Sequence, residues 1–209
     1  MKKLSIQFCK NIGLEQFNKD KWFQWSYSTM QRTKKGGTST EQKERIKIFL
    51  YERITNINKN SISNQSDFNK WLLNCIKGIC KKGNLTFGQG QKIINILLKY
   101  YYCFYYSEQD KEWNKDQKYL KKYFSFFNAP VDNIILAKLK KKYNDPIISF
   151  LELKSSRARF NINGNLFPWS KLEDSKEYLS IQDYVENLAS KDNNINDKLC
   201  FEMKYLWKE

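Results

Sequence analysis

The sequence predicts an all-α fold, two helical lobes with a cleft between them. Apolar residues recur three and four positions apart in several stretches, the period of a helix with one buried face. The breaks between those stretches are rich in Asn, Ser, Gly and Lys, which punctuate helices. At 209 residues and 41% hydrophobic, the chain is long enough to bury a sizeable core as a single domain, 1–209. Strands are at most minor, and no internal repeat is visible.

In order, Leu4 to Asn11 reads as a short strand or an irregular lead-in. Leu14 to Gln31 reads as a helix, carrying Leu14, Phe17, Trp22, Trp25 and Met30 on a helical period. A polar, glycine-containing loop, Gln31 to Ser39, is either a solvated connector or a DNA-contacting loop. Thr40 is positioned to cap the next helix, with Lys43 where a capping box would want Glu or Gln. That helix is expected to run to Asn56 and to bury Ile46, Phe49, Leu50 and Ile54. After an Asn/Ser-rich loop, Ser66 is placed to cap a helix from Asp67 to Cys80, whose Phe68, Leu72, Cys75, Ile76 and Ile79 step by three and four.

Lys81-Lys82-Gly83-Asn84 then makes a basic turn, and Phe87-Gly88-Gln89-Gly90-Gln91-Lys92 opens an apolar helix, Ile93 to Tyr106. Helix, short turn and glycine-led helix in succession is the arrangement of a helix-hairpin-helix, and segment 67–143 holds it together with the candidate chemistry. Glycines at a helix start let backbone N–H groups approach an anion closely, so Lys81, Lys82, Gly88, Gln89, Gly90 and Gln91 are candidate phosphate contacts. A glycine-broken loop before a core helix would look the same. The helix after it is apolar nearly all round and should be central, with its tyrosines forming core and cleft wall. The polar run Ser107 to Lys122 reads as a surface insertion. Pro130-Val131-Asp132 opens a helix expected to span Val131–Tyr143, whose C-terminal lysines suit the helix dipole; Asp145-Pro146 ends it. Beyond come an apolar segment Ile147–Leu153, the basic Arg157-Ala158-Arg159, a turn at Gly164, a helix near Tyr178–Ala189, and a closing segment Leu199–Trp207.

Charge and composition narrow the function. With 37 Lys and Arg against 22 Asp and Glu, the net +15 calls for an anionic partner, nucleic acid first and an anionic membrane second. No window is long and apolar enough for a membrane span, and Met1-Lys2-Lys3 does not open a secretory signal. Five cysteines without a CxxC pair, and no histidine, leave zinc, haem and disulfide frameworks poorly supported. The expectation is a monomer of the reducing cytoplasm that needs no metal or other cofactor. Without histidine the usual catalytic triads are closed. A lysine nucleophile remains open, provided its amine, ordinarily at a pKa of about 10.4, loses its proton through desolvation or neighbouring charge.

Gly88-x-Gly90-x-Lys92, an apolar helix, and then Pro130-Val131-Asp132 resemble the helix-hairpin-helix DNA glycosylases. The closest likeness is to their 8-oxoguanine branch, including the archaeal form; Gln91-Lys92 before a tyrosine-rich helix and Tyr178-x-x-Ile181-Gln182 are similar to that form too. The resemblance covers about Leu85 to Trp207. It implies that Lys92 is the nucleophile, that Asp132 is its catalytic partner, and that the hairpin glycines bind DNA. The 40 residues from Lys92 to Asp132 are a longer spacing than the resemblance leads one to expect. The C-terminal four-cysteine iron–sulfur loop of some such enzymes is absent, since only Cys200 lies there.

The implied activity is cleavage of the N-glycosidic bond of a base flipped out of duplex DNA, with a lyase step open to the resulting Schiff base. The substrate would be an oxidised purine or a hypermodified base such as a glucosylated cytosine of phage DNA, giving a repair or a phage-defence role. Trp169, Phe201, Tyr205 and Trp207 are candidates for stacking on the flipped base, each also a plausible core residue. Two competing readings stand beside this one: a non-enzymatic helical module gripping DNA phosphates through the hairpin, and a basic surface that docks an acidic protein.

Overall fold

The computed structural model describes residues 2–13, 18–31, 38–108, 115–132, 135–136, 138–139, 170, 172, 175–195 and 197–206. The loop 32–37, the segment 140–169 with its apolar, basic and turn features, Trp169 and Trp207 lie outside the described residues. Every regular element among those described is helical. In chain order they are α1 (Lys2–Asn11), α2 (Lys19–Gln31), α3 (Thr40–Thr55), a 3₁₀ turn (Ile57–Lys59), α4 (Gln65–Gly83) and α5 (Phe87–Glu108). A 3₁₀ segment (Lys115–Phe126), α6 (Ser175–Ser190) and α7 (Lys198–Phe201) follow, and α7 runs on into a π-helical turn (Glu202–Leu206).

The long apolar helix is central, as its all-round hydrophobicity requires. Helices α1, α2 and α4 each pack against α5, and α3 packs on α4. Trp22 of α2 meets Tyr101 edge-on, with ring centroids 5.3 Å apart, and also touches Phe104; Phe8 of α1 lies against Tyr100. Tyr100, Tyr101 and Tyr102 are buried, so these tyrosines build core.

Several boundaries differ from expectation for local reasons. Leu4 to Asn11 is helical, not a strand, because Phe8 and Cys9 bury against α5 in a helical register. The cap of α3 is Ser39, not Thr40. Its hydroxyl accepts from the Gln42 amide while the Gln42 side chain accepts from the Ser39 amide, a complete capping box shifted by one residue. Asn64, not Ser66, caps α4 through the Asp67 amide, so α4 begins at Gln65. The run Ser107 to Lys122 is not wholly a surface insertion: Leu120 is buried, the Tyr119 hydroxyl donates to the Ile54 carbonyl, and Tyr123 and Phe124 just beyond the run are buried too.

The hairpin is built by caps at both ends. Asn84 takes the left-handed conformation (φ 50°) and ends α4, while the Leu85 amide donates back to the Cys80 carbonyl. Helix α5 starts at Phe87, six residues earlier than expected, because Thr86 and Gln89 form a second reciprocal cap. Both glycines are thus helical. A side chain at Gly90 would come within 2.8 Å of Cys80 Sγ and 3.3 Å of the Ile76 carbonyl, so this glycine is what lets α4 and α5 approach.

Candidate active site

Lys92 lies one turn inside α5, where the hairpin caps fix the helix start and the apolar face fixes its rotation. Its Nζ sits 3.2 Å from Asp132 Oδ2, with the lysine side chain 10% exposed and the aspartate side chain 21% exposed. The structure therefore brings the two candidate catalytic residues together across the 40-residue interval. Asp132 also caps the helical residues that follow it: its Oδ1 accepts from the Ile135 amide at 2.9 Å, and its carbonyl accepts from Leu136. Val131 and Asp132 themselves are not helical, so the helix opens after them and not at Val131. One carboxylate oxygen does structural work and the other faces the lysine.

Asp132 is held in place by its backbone. Gln91, fully buried, donates its amide to the Val131 carbonyl at 2.8 Å and accepts the Val131 N–H at 3.3 Å. Gln182 of α6 does the same to Ala129, accepting at 3.0 Å and donating at 2.8 Å. Two glutamine side chains thus grip Ala129 and Val131 the way a neighbouring strand would, pairing both backbone groups of each. Asn95 continues the network, donating to Gln91 Oε1 at 3.0 Å and to the Tyr178 hydroxyl at 2.8 Å, while Phe87 packs edge-on against the Tyr178 ring. Tyr178 and Gln182, the motif residues of α6, are therefore part of the frame behind Asp132.

A second ion pair lies farther along α5, and sequence reasoning missed it. Lys99 Nζ is 2.5 Å from Glu202 Oε2, with side chains only 4% and 3% exposed, and the same ammonium stands 4.4 Å from the centre of the Phe8 ring. Glu202 begins the π-helical turn that follows directly on α7. Burial pushes its carboxyl above the ordinary range, the negative charge of Asp132 adds to that, and Lys99 opposes it. The one available signal was that Lys99 is the only charged residue between Lys92 and Tyr106.

The other candidates fall in different settings. Lys81 and Lys82 are exposed at the end of α4, with the Lys82 ammonium over the Phe49 ring. Gly88, Gln89, Gly90 and Gln91 are buried. The Gly88 amide donates to the Leu172 carbonyl, the Thr86 hydroxyl donates to the Ser170 carbonyl, and Gln91 has no exposed surface. Phe201 is buried with its ring 5.2 Å from that of Tyr205, whose hydroxyl donates to Asp192. Among the described residues no cluster of His, Cys, Asp and Glu is arranged to hold a metal ion, and no helix is long and apolar enough to cross a membrane. Comparison of the chain with protein-family models, with curated protein sequences and with solved structures finds no match.

Proposed function

We propose that the protein is a DNA N-glycosylase in which Lys92 is the nucleophile and Asp132 its partner. The observation that carries this reading is the pairing of Lys92 with Asp132 at 3.2 Å, partly buried and open on the aspartate side. Lysine and aspartate from distant parts of the chain meet beside the glycine-led helix start, in the roles that the resemblance to helix-hairpin-helix glycosylases implies. The attacking species is the free amine, so the Nζ proton has to leave, and Asp132 Oδ2 is within reach to receive it.

A base flipped out of the duplex would present C1′ to Nζ. As the C1′–N bond breaks, its electron pair leaves with the base, which takes up the proton that Asp132 accepted from Nζ, so that Asp132 is again a carboxylate. The carboxylate of Asp132 opposes the positive charge that develops on the sugar. The Nζ–C1′ bond then forms, the ring oxygen is expelled and protonated, and an imine results. Water returns the free lysine, or loss of a C2′ proton with departure of the 3′ phosphate gives strand cleavage. The substrate is an oxidised purine or a hypermodified base, and the first chemistry to test is a panel of duplexes carrying such bases.

Borohydride reduces an imine to a stable amine, so a protein–DNA adduct should be trapped on the correct substrate. Lys92→Gln should abolish both base release and trapping while duplex binding is retained. An adduct that maps to another lysine, or glycosylase activity surviving in Lys92→Gln, would overturn the assignment.

The non-enzymatic alternative, a helical module that grips DNA, draws on the exposed lysines of α4. It predicts duplex binding without base release on any member of the panel.

A further inference from the structure

Helix α4 has two unlike faces. Phe68, Trp71, Leu72, Cys75, Ile76 and Ile79 are buried against α3 and α5. Lys70, Asn74, Lys77 and Lys81 are all exposed and follow one another by four, three and four residues. At 100° per residue that spacing keeps all four within one narrow strip, opposite the buried face. With a rise of 1.5 Å per residue, the strip is about 16 Å long, its lysines about 10 Å and about 6 Å apart along the axis.

The strip differs from the neighbouring exposed surface. On α3 the charges alternate in sign and compensate one another, Glu41 with Arg45 at 3.1 Å and Glu44 with Lys47 at 2.8 Å. On α4 the single acid near the strip is Asp67, in the first turn, 3.6 Å from Lys70 and occupied also by Ser63 and Asn64. Among the described residues Lys77 and Lys81 meet no carboxylate, although like charges four apart repel. The helix dipole accounts for Lys81 and Lys82 in the last turn; it does not reach Lys70 and Lys77. The strip ends at Lys81, one turn before Asn84, where the hairpin turns into the helix that carries Lys92.

We infer that the Lys70–Lys77–Lys81 strip of α4 is a phosphate-tracking surface, which lays one strand of a DNA duplex along the helix toward the hairpin. This rests on the reading of the protein as a DNA enzyme and names the surface by which it holds its substrate. The regular, closely spaced anions of a DNA backbone match a line of exposed ammonium groups, two of which meet no carboxylate among the described residues, and each phosphate neutralised releases counterions. Such contacts set register and orientation and carry no sequence information.

The test compares three proteins by fluorescence anisotropy on one unmodified duplex over a range of salt: wild type, the triple variant Lys70→Gln/Lys77→Gln/Lys81→Gln, and a charge-matched control, Lys3→Gln/Lys10→Gln/Lys191→Gln, whose lysines are equally exposed. Three lost phosphate contacts should reduce the slope of log affinity against log salt by about 2.7, at about 0.9 per phosphate. The control should keep the wild-type slope. Circular dichroism should show both triples folded, since all six positions are exposed on helices or just beyond a helix end.

An unchanged slope in the α4 triple, or equal losses in both triples, overturns the strip while leaving wild-type DNA binding and the proposed activity intact. Absence of duplex binding by the wild type at low salt removes the DNA reading and the strip together. Tighter wild-type binding to an acidic peptide or to phosphatidylserine vesicles than to duplex, at equal salt, would replace DNA as the occupant.

Discussion

Helix α5 carries two lysine–carboxylate pairs seven residues apart, and they sit in different surroundings. Lys92 meets Asp132 at the helix start, where the aspartate keeps a fifth of its side-chain surface. Lys99 meets Glu202 deeper along the same helix, sealed on both sides and backed by the Phe8 ring. The first pair sits on a hydrogen-bonded frame of Gln91, Gln182, Asn95 and Tyr178. The second joins α5 to the π-helical turn near the end of the described chain. A charge pair beside solvent can exchange a partner for a substrate; a sealed one can only be kept or broken. Location along one helix, not residue type, decides which of the two is open to solvent.

That contrast can be broken most directly at the sealed pair. Replacing Lys99 by Met leaves the Glu202 carboxylate buried without its counter-charge, which typically costs about 3–5 kcal/mol, read as a lower denaturant midpoint. The double replacement Lys99→Met/Glu202→Leu should recover most of the loss, because removing both charges removes the burial cost of both. A Lys99→Met variant as stable as wild type would show that the pair is not sealed.

At the accessible pair the larger effect should fall on rate. Asp132→Asn keeps the cap on Ile135, since Asn caps as well as Asp, so stability should change by less than about 1 kcal/mol. Base release should slow by about a hundred- to a thousandfold, the scale for removing one electrostatic stabiliser from a reacting centre. Rates equal to wild type would reduce Asp132 to a helix cap.

Gln91→Leu should act between these two. It strips the donor and acceptor from Val131, leaving buried backbone groups unpaired at about 1–3 kcal/mol, and it frees Asp132 to drift from Lys92. The expected signature is a fall in kcat larger than the loss of stability explains, with the Lys99–Glu202 pair untouched.

The smallest effect is in the pH dependence of stability. The Glu202 carboxyl titrates above its ordinary value of 4.5 in the folded protein, chiefly through burial. As pH rises from about 4.5, the unfolded chain loses this proton first, so the contribution is full below that value and is lost as pH rises through the folded pKa. The wild type should therefore show a fall in unfolding free energy over this window that Glu202→Gln lacks. Parallel profiles for the two proteins would mean that burial does not dominate at Glu202.

How much of this was legible in the sequence depended on how local the signal was. Helices α2, α3, α4, α5 and α6 announced themselves by period, because their buried faces repeat every three or four residues. Lys92 and Asp132 were reached through short motifs. What failed was the fine grammar of helix ends. Gly88 and Gly90 looked like punctuation, yet Thr86 starts the helix before them and Gly90 is small because Cys80 and Ile76 need the room. Ser39 with Gln42 carried a full capping box that attention to Thr40 and Lys43 displaced. Lys99 and Glu202 lie 103 residues apart, and neither carries a local mark of the other. Buried pairing between distant segments follows from how elements dock, and no window of sequence contains it.

The grip of Gln91 on Val131 has one more consequence. Gln91 and Lys92 are neighbours, and so are Val131 and Asp132, so the two contacts work like the jaws of a caliper whose opening is set at the tips. Whatever moves α5 moves the lysine and the hand that holds its partner together. A 40-residue interval and a 3.2 Å contact coexist because the grip and the gap are set by adjacent residues on each side.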